Sequence, residues 1–159
     1  MRLIEENVQV VHDNYVFTAA AKKEEVELPP LGDRVAYILK TLSWGYNTGG
    51  ATPAIVGAGI VFYQWALSGK DQAANANILQ LEDVLVANMQ QFIAAGAGNL
   101  PLQPDQVTSD VNSKIRPVLF RELFIHSYAQ NVNPLGQIDF NLTVDAYQLT
   151  TSEFVDLLG

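Results

Sequence analysis

The most regular hydrophobic pattern in the chain lies near its end, over residues 137–148. In the segment QIDFNLTVDAYQ, apolar and polar side chains alternate without a break. The apolar positions are Ile138, Phe140, Leu142, Val144 and Ala146. Period-two alternation is typical of a β-strand with one buried face and one face in water. We therefore predict a long strand here, with Asp139 and Asp145 on the wet face.

Other segments also have the apolar content of strands. Long strands are predicted over residues 34–44, 55–67 and 118–129, and the second and third of these are apolar on both faces. Residues 7–11 and 15–20 are shorter candidates, separated by the turn-prone sequence HDN. The turn chemistry of NPLG at 133–136 predicts that 118–129 and 137–148 pair as a hairpin.

The middle of the chain has a different spacing. Between residues 78 and 93 the apolar positions are 78, 81, 85, 89, 92 and 93, with Glu82 and Asp83 in the first turn and Gly96 beyond the end. These intervals predict a central helix over 78–93, with a strand over 84–89 as the alternative. Thr150 to Glu153 precede an apolar run and predict a short helix over 152–158.

Six to eight strands in 159 residues predict a mainly β fold. The expected architecture is an antiparallel β-sandwich or single jelly roll, with one central helix and a short C-terminal helix. No repeat or linker divides the sequence, so we expect one domain over residues 1–159.

The composition narrows the functional classes. The chain has no cysteine, a net charge of −8 and only nine basic residues, which form no stripe or arm. A protein that grips nucleic acid carries such a basic surface, so we expect no direct nucleic-acid binding. The first residues lack the apolar core of a signal peptide, and no run predicts a transmembrane segment. The absence of cysteine fits a reducing cytoplasm.

Charged residues are scarce at 16% of the chain, against about 25% in ordinary soluble domains. Charge depletion and aromatic enrichment are typical of buried subunit interfaces, so the aromatic residues are candidate interface positions. They are Trp44, Tyr46, Phe62, Tyr63, Trp65, Phe120, Phe124 and Tyr128. The alternatives are a core role, a surface made neutral by amides and hydroxyls, and a platform on which sugars or bases stack.

Residues with chemical potential do not form a recognisable constellation. The two histidines, His12 and His126, lie in separate strands without the spacing of metal ligands. Asp105, Asp110 and Asn112 share a polar loop, but their spacing is not that of a calcium loop. We therefore predict no catalytic residues, no metal site and no cofactor.

The order of these segments resembles small single jelly-roll major capsid proteins of icosahedral bacterial and archaeal viruses. The resemblance rests on five stretches, which are NYVFTAAAKKEEVELPPL, RVAYILKTLSWGYNT, VGAGIVFYQWALSGKD, LEDVLVANMQQFIAAGAG and the run from RPVLFRELFIHSYAQNV to SEFVDLL. It implies a structural protein that assembles with copies of itself, and with other virion proteins, into an icosahedral particle. The implied location is the virion, after assembly in the host cytoplasm.

One departure from that pattern concerns the genome. Many coat proteins of small viruses carry a basic amino-terminal arm, which this chain lacks. The departure implies a shell around a membrane or around a separately packaged genome.

Two other classes compete with a coat protein. A non-catalytic β-sandwich that binds carbohydrate or a receptor would fit the same strand pattern. An enzyme on a jelly roll, such as a cupin, fits poorly because it needs a cluster of histidine ligands.

Overall fold

The structure is a computed structural model of the 159-residue chain. It describes residues 1–47, 52–100, 115–134 and 136–159, together with the backbone of 105–108. Asp110 and Asn112, proposed above as loop residues, lie outside the described residues, as do positions 48–51 of the predicted loop 45–53.

Two antiparallel sheets make up most of the fold. Sheet 1 has the order β1-β11-β3-β8, with β9 also pairing with β3, and sheet 2 has the order β2-β10-β5-β6. The strands of sheet 1 are β1 (Arg2–Val16), β3 (Val35–Tyr46), β8 (Asp105–Thr108), β9 (Leu119–Phe120) and β11 (Gln137–Gln148). Those of sheet 2 are β2 (Lys22–Glu25), β5 (Gly59–Ser68), β6 (Val84–Ala94) and β10 (Phe124–Gln130).

Three small elements complete the fold. Strands β4 (Ala54–Ile55) and β7 (Gly98–Asn99) form a separate ladder, and a single 3₁₀ turn spans Ile78–Gln80. Successive strands mostly cross between the two large sheets. A five-stranded and a four-stranded sheet with these crossovers form a jelly roll, which confirms the predicted antiparallel β fold class.

The core lies between the inner faces of the two sheets. The apolar half of the alternation predicted for β11 is confirmed, because all five apolar positions from Ile138 to Ala146 are buried. Asp145, predicted on the wet face, is buried as well, beside the β1 bulge at Asn7. Trp65 of sheet 2 packs edge-on against Phe140 and Trp44 of sheet 1, with ring centres 5.1 and 5.7 Å apart. Such edge-to-face contacts are a favoured aromatic geometry and add to the burial of apolar area. They fix the two sheets against one another.

Strand β1 is one bulged strand, and this corrects the prediction of two strands separated by a turn. Its register with β11 shifts near Asn7 and Asn14, which adopt φ of 53° and 59°. The freed backbone N–H groups of these asparagines donate to Asp145 at 2.9 Å and to Asp139 at 2.8 Å. Asparagine tolerates this left-handed conformation better than most residues, and the aspartates replace the missing ladder bonds. The strand therefore continues through the HDN sequence.

The predicted central helix over 78–93 is wrong. Within the predicted range only Ile78–Gln80 forms a helical turn, and Val84–Ala94 is strand β6, paired with β5 from Gly59↔Ala94 to Ser68↔Val84. The strand alternative over 84–89 was the correct one. The helical spacing arose because apolar residues from a loop and from both faces of one strand lie close together in sequence.

The predicted hairpin between 118–129 and 137–148 is also wrong. Strand β10 pairs with β2 and β5, whereas β11 pairs with β1 and β3 in the other sheet. The connection crosses the sandwich, because β10 and β11 each bury one apolar face from opposite sides of the same core. In addition, the predicted strand 118–129 is divided into β9 and β10.

The C-terminal helix is confirmed as α1 (Thr151–Leu158). The side chain of Thr150 accepts from the Glu153 N–H, and the Glu153 side chain accepts from the Thr150 N–H. This reciprocal capping box satisfies two donors that the first turn leaves free. None of the helix residues is buried, so α1 lies on the surface.

Candidate functional site

The outer face of sheet 2 is the most apolar surface outside the core. On β5 the outward positions alternate with the buried Val61, Tyr63 and Trp65, as the sequence predicted. The strand register places outward residues of β6 and β10 beside them. These outward positions are Ile60, Phe62, Gln64, Ala66 and Ser68 on β5, Ala87, Met89, Gln91 and Ile93 on β6, and Phe124, His126, Tyr128 and Gln130 on β10.

One half of this outer face is covered by the chain itself. Residues 69–83, here named the flap, leave β5 at Gly69 and return at β6. Ile78 and Leu81 of the flap pack on Ala66 of β5 in a small buried cluster. Gly69 is required where the flap begins, because a Cβ there would lie 2.9 Å from the Cβ of Phe120. The flap therefore acts as a lid on the Ala66 half of the sheet.

The Gln72 side chain holds the two ends of the flap together. Its amide nitrogen donates to the Ser68 hydroxyl at 2.9 Å and to the Glu82 carbonyl at 2.8 Å. Its amide oxygen accepts from the Glu82 N–H at 2.9 Å. Three hydrogen bonds from one side chain close the loop at its base. A further ion pair joins Lys23 of β2 to Asp71 at 2.5 Å.

The other half of the outer face is open. We name it the open patch and define it as Ile60, Phe62, Met89, Ile93 and Tyr128. Ile60 and Ile93 are direct cross-strand partners, and Ile93 is 82% exposed. The Phe62 and Tyr128 rings lie 6.1 Å apart. Apolar residues that stand together on a strand surface, interspersed with the amides of Gln64, Gln91 and Gln130, have the composition of a protein contact.

The structure separates the eight predicted interface residues into two groups. Trp44, Tyr63, Trp65, Phe120 and Phe124 are buried within the single chain. Burial also raises the pKa of the Tyr63 phenol well above its ordinary value. These side chains pack inside the single chain, as the core alternative expects, and an interface role for them stays a prediction.

The remaining three residues are partly exposed. Phe62 and Tyr128 lie in the open patch, whereas Tyr46 lies at the end of β3, where burial raises its phenol pKa to about 12. An interface role for these three stays a prediction. The sequence analysis did not select Ile60, Met89 and Ile93 as interface residues. For Ile60 the signal was the second apolar face of the predicted strand 55–67, and for Met89 and Ile93 it was the apolar spacing of 78–93, which predicted a helix.

The outer face of sheet 1 is polar by comparison. Gln9 donates to Asn141 at 3.1 Å across β1 and β11, and Thr41 and Thr143 share a hydrogen bond of 2.5 Å across β3 and β11. Val11 is an exposed apolar side chain on this face. Because these hydroxyl and amide groups hydrogen-bond to one another, burial of this face against a partner would gain little free energy.

No charged site emerges from the described part of the chain. A cleft of about 670 Å³ beside α1 contains both signs of charge. Its charged residues are Lys70, Asp71, Asp83, Arg116, Arg121 and Glu122. Among the described residues, no three His, Asp or Glu side chains converge to hold a metal ion. No helix within those residues has the length and apolar character needed to cross a membrane.

Comparison with known proteins gives structural neighbours without sequence relatives. No family model matches the chain, and neither does any curated protein. Among solved structures, Merkel cell polyomavirus VP1 in complex with 3'-sialyllactosamine superposes with a TM-score of 0.54 at 11% identity, over 94% of this chain and 99% of that one.

Two other solved structures extend this comparison. The unassembled VP1 pentamer of the same virus gives a TM-score of 0.52 at 10% identity, over 94% of this chain and 99% of that one. A mutant VP1 pentamer of Washington University polyomavirus gives 0.50 at 11% identity, over 92% and 98%. At these identities the likeness establishes the fold alone, a jelly roll similar to that of VP1.

Proposed function

We propose that this chain is a structural subunit that assembles with copies of itself into a viral shell, with the jelly roll over residues 1–159 as the repeating domain. The observation that carries the proposal is the open patch on a fold whose solved neighbours are capsid proteins. The neighbours include two VP1 pentamers. The same contact repeated around a closed ring hides an apolar patch on every copy.

The open patch is the proposed contact between copies. A sandwich needs only one face of each sheet for its own core, and the flap covers part of the second face of sheet 2. Ile60, Met89 and Ile93 stay exposed on one isolated chain. Together with Phe62 and Tyr128 they supply aromatic and aliphatic anchors, which are the residue types that concentrate binding energy at interfaces.

The proposed particle does not bind its genome through this chain. Four of the nine basic residues are paired with carboxylates, in the pairs Lys22–Glu24, Lys23–Asp71, Lys40–Asp145 and Lys70–Glu82. A net charge of −8 repels phosphate backbones. A coat role without catalysis, in the virion of a bacterial or archaeal virus assembled in the host cytoplasm beside other virion proteins, follows from the resemblance described above.

The second candidate function is a carbohydrate-binding or receptor-binding module. Two of the solved VP1 neighbours hold 3'-sialyllactosamine and the GD1a oligosaccharide. The hydroxyl and amide groups on the outer face of sheet 1 are of the kind that binds sugars. This function requires no particle, so the two candidates separate on the size of the assembly.

Size-exclusion chromatography followed by negative-stain microscopy of the purified chain tests the proposal. We expect rings or closed particles at high protein concentration. A chain that stays monomeric across salt, pH and concentration contradicts the coat function. In that case, binding of sialylated oligosaccharides by the monomer would establish the second candidate.

A further inference from the structure

His126 is a fully buried histidine whose ring makes no hydrogen bond. Its exposed fraction is 0%, and neither ring nitrogen has a partner among the described residues. It is on the outer face of β10, between Lys23 of β2 and Ala66 of β5 in the strand register. The 3₁₀ turn of the flap contacts both β10 and β5, and Ile78 and Leu81 pack on Ala66, the register partner of His126, so the flap lies over this part of the sheet.

The charged groups around His126 come from two elements. Lys23 of β2 and Asp71 of the flap face it, and they pair with each other at 2.5 Å. A second ion pair, Lys70–Glu82, joins the two ends of the flap to each other. Strand β5 contributes only the methyl group of Ala66 and the uncharged Gln64 and Ser68 beside the ring. Among the described residues the one carboxylate that faces the ring, Asp71, is already paired with Lys23.

Burial and Lys23 both oppose a positive charge on the ring. Desolvation lowers the pKa of His126 below its ordinary value, Lys23 lowers it further, and Asp71 offsets part of the shift. Protonation requires hydration, and hydration requires that the flap leave the sheet. Of the contacts that hold the flap, Ile78 on Ala66 and the Gln72 hydrogen bonds do not titrate, whereas the Lys23–Asp71 ion pair includes a carboxylate.

We propose that His126 is an acid sensor beneath the flap, and that its protonation releases residues 69–83 from the outer face of sheet 2. Release uncovers Ala66 and Phe124 together with Ile78 and Leu81. These side chains lie on the same sheet face as the open patch, so the apolar surface becomes continuous along β5. The device is contained in one chain and does not depend on the proposed assembly.

The direction of the pH dependence follows from the two states. In the closed state the pKa of His126 is lowered, and in the open state it is the ordinary value of about 6.5. Acid therefore favours the open state, whose ring binds the additional proton. Between about pH 6.5 and the closed-state pKa, the ratio of open to closed molecules rises about tenfold for each unit by which the pH falls. At about pH 5 this ratio is at most about 30-fold higher than at neutral pH.

Hydrogen exchange of the flap amides tests this sensor. Exchange is measured by mass spectrometry at about pH 7.5 and about pH 5, with correction for the intrinsic pH dependence of exchange. We expect the corrected protection of residues 69–83 to fall towards the 30-fold limit in acid while that of β11 is unchanged. His126→Phe keeps a ring in place without a titrating group and should remove the pH dependence. His12→Gln, which changes the only other histidine, should retain it.

A histidine titration by NMR of the unaltered chain provides a test that needs no folded variant. His12→Gln assigns the two imidazole signals. We expect His126 to titrate below the ordinary histidine range, in step with loss of flap protection. An ordinary pKa for His126, or flap protection that does not change with pH, overturns the proposal. Flap opening that remains acid-dependent in a folded His126→Phe variant also overturns it.

Discussion

The two halves of the outer face of sheet 2 differ in what covers them. Around Ala66 the chain covers its own sheet with the flap, and Ile78 and Leu81 become buried. Around Ile60 and Ile93 the same strands carry equally apolar side chains that stay exposed. The same pairing of β5 with β6 supports both halves, so the difference arises from the flap and not from the sheet. A second apolar face on a sandwich therefore has two outcomes, an internal lid or an external partner.

The largest expected effect on folding comes from Ile78, on the buried side of the flap. Ile78→Ala removes a side chain that is 2% exposed and should lower the free energy of unfolding by about 2–4 kcal/mol, because it leaves a cavity beside Ala66. The measurement is urea unfolding followed by tryptophan fluorescence. Leu79→Ala, at the adjacent position that is 74% exposed, is the control and should change stability by less than about 0.5 kcal/mol. Equal losses from the two variants would show that the flap does not pack as described.

A smaller effect is expected at the base of the flap. Gln72→Ala removes three hydrogen bonds to Ser68 and Glu82 and should reduce stability by about 1–3 kcal/mol. Unfolding experiments and hydrogen exchange of residues 69–83 measure the loss. Gln91→Ala on the open half is the matched control, since this glutamine is exposed at the partner position of Phe62. A Gln72→Ala variant as stable as Gln91→Ala would refute the role assigned to the Gln72 side chain in holding the ends of the flap together.

The ion pair at the flap should contribute least to folding. Lys23 and Asp71 are both partly exposed, so Lys23→Ala should change stability by less than about 1 kcal/mol, and less in high salt. The same substitution removes the cation nearest His126 and should raise the pKa of that histidine. An NMR titration checks the direction. A pKa that stays the same or falls would mean that Lys23 does not act on the ring.

The elements that sequence analysis predicted correctly are those whose pattern is local. The alternation of β11 and the capping box of α1 each depend on residues adjacent in sequence. The failures depend on tertiary context. The turn signal at 133–136 marks a reversal, but it cannot distinguish a hairpin within one sheet from a crossing between two sheets. The Asn7 and Asn14 bulges require Asp145 and Asp139 from a distant strand.

The apolar outward residues of β6 explain both the incorrect prediction of a helix over 78–93 and the presence of the open patch. An ordinary strand at a sandwich surface would carry polar residues at its outward positions, and the period of two would have identified it. In β6 the outward positions include Met89 and Ile93, which obscure that period. Local rules tend to fail at functional sites, because those residues serve a contact beyond the fold. Aromatic content alone does not separate the two faces of a strand, since Trp65 and Tyr63 are at inward positions of β5 while Phe62 is at an outward one.

The central claim is that the open half is covered by a second copy of the chain. The most direct measurement compares particle formation by Ile93→Lys and Val11→Lys in sedimentation velocity, at matched concentration. Both substitutions place a lysine at an exposed apolar position, on the outer faces of sheet 2 and sheet 1 respectively, and neither should change stability by more than about 0.5 kcal/mol. We predict that Ile93→Lys sediments as a folded monomer while Val11→Lys assembles like the unaltered chain. Particles of normal size from Ile93→Lys would contradict the account.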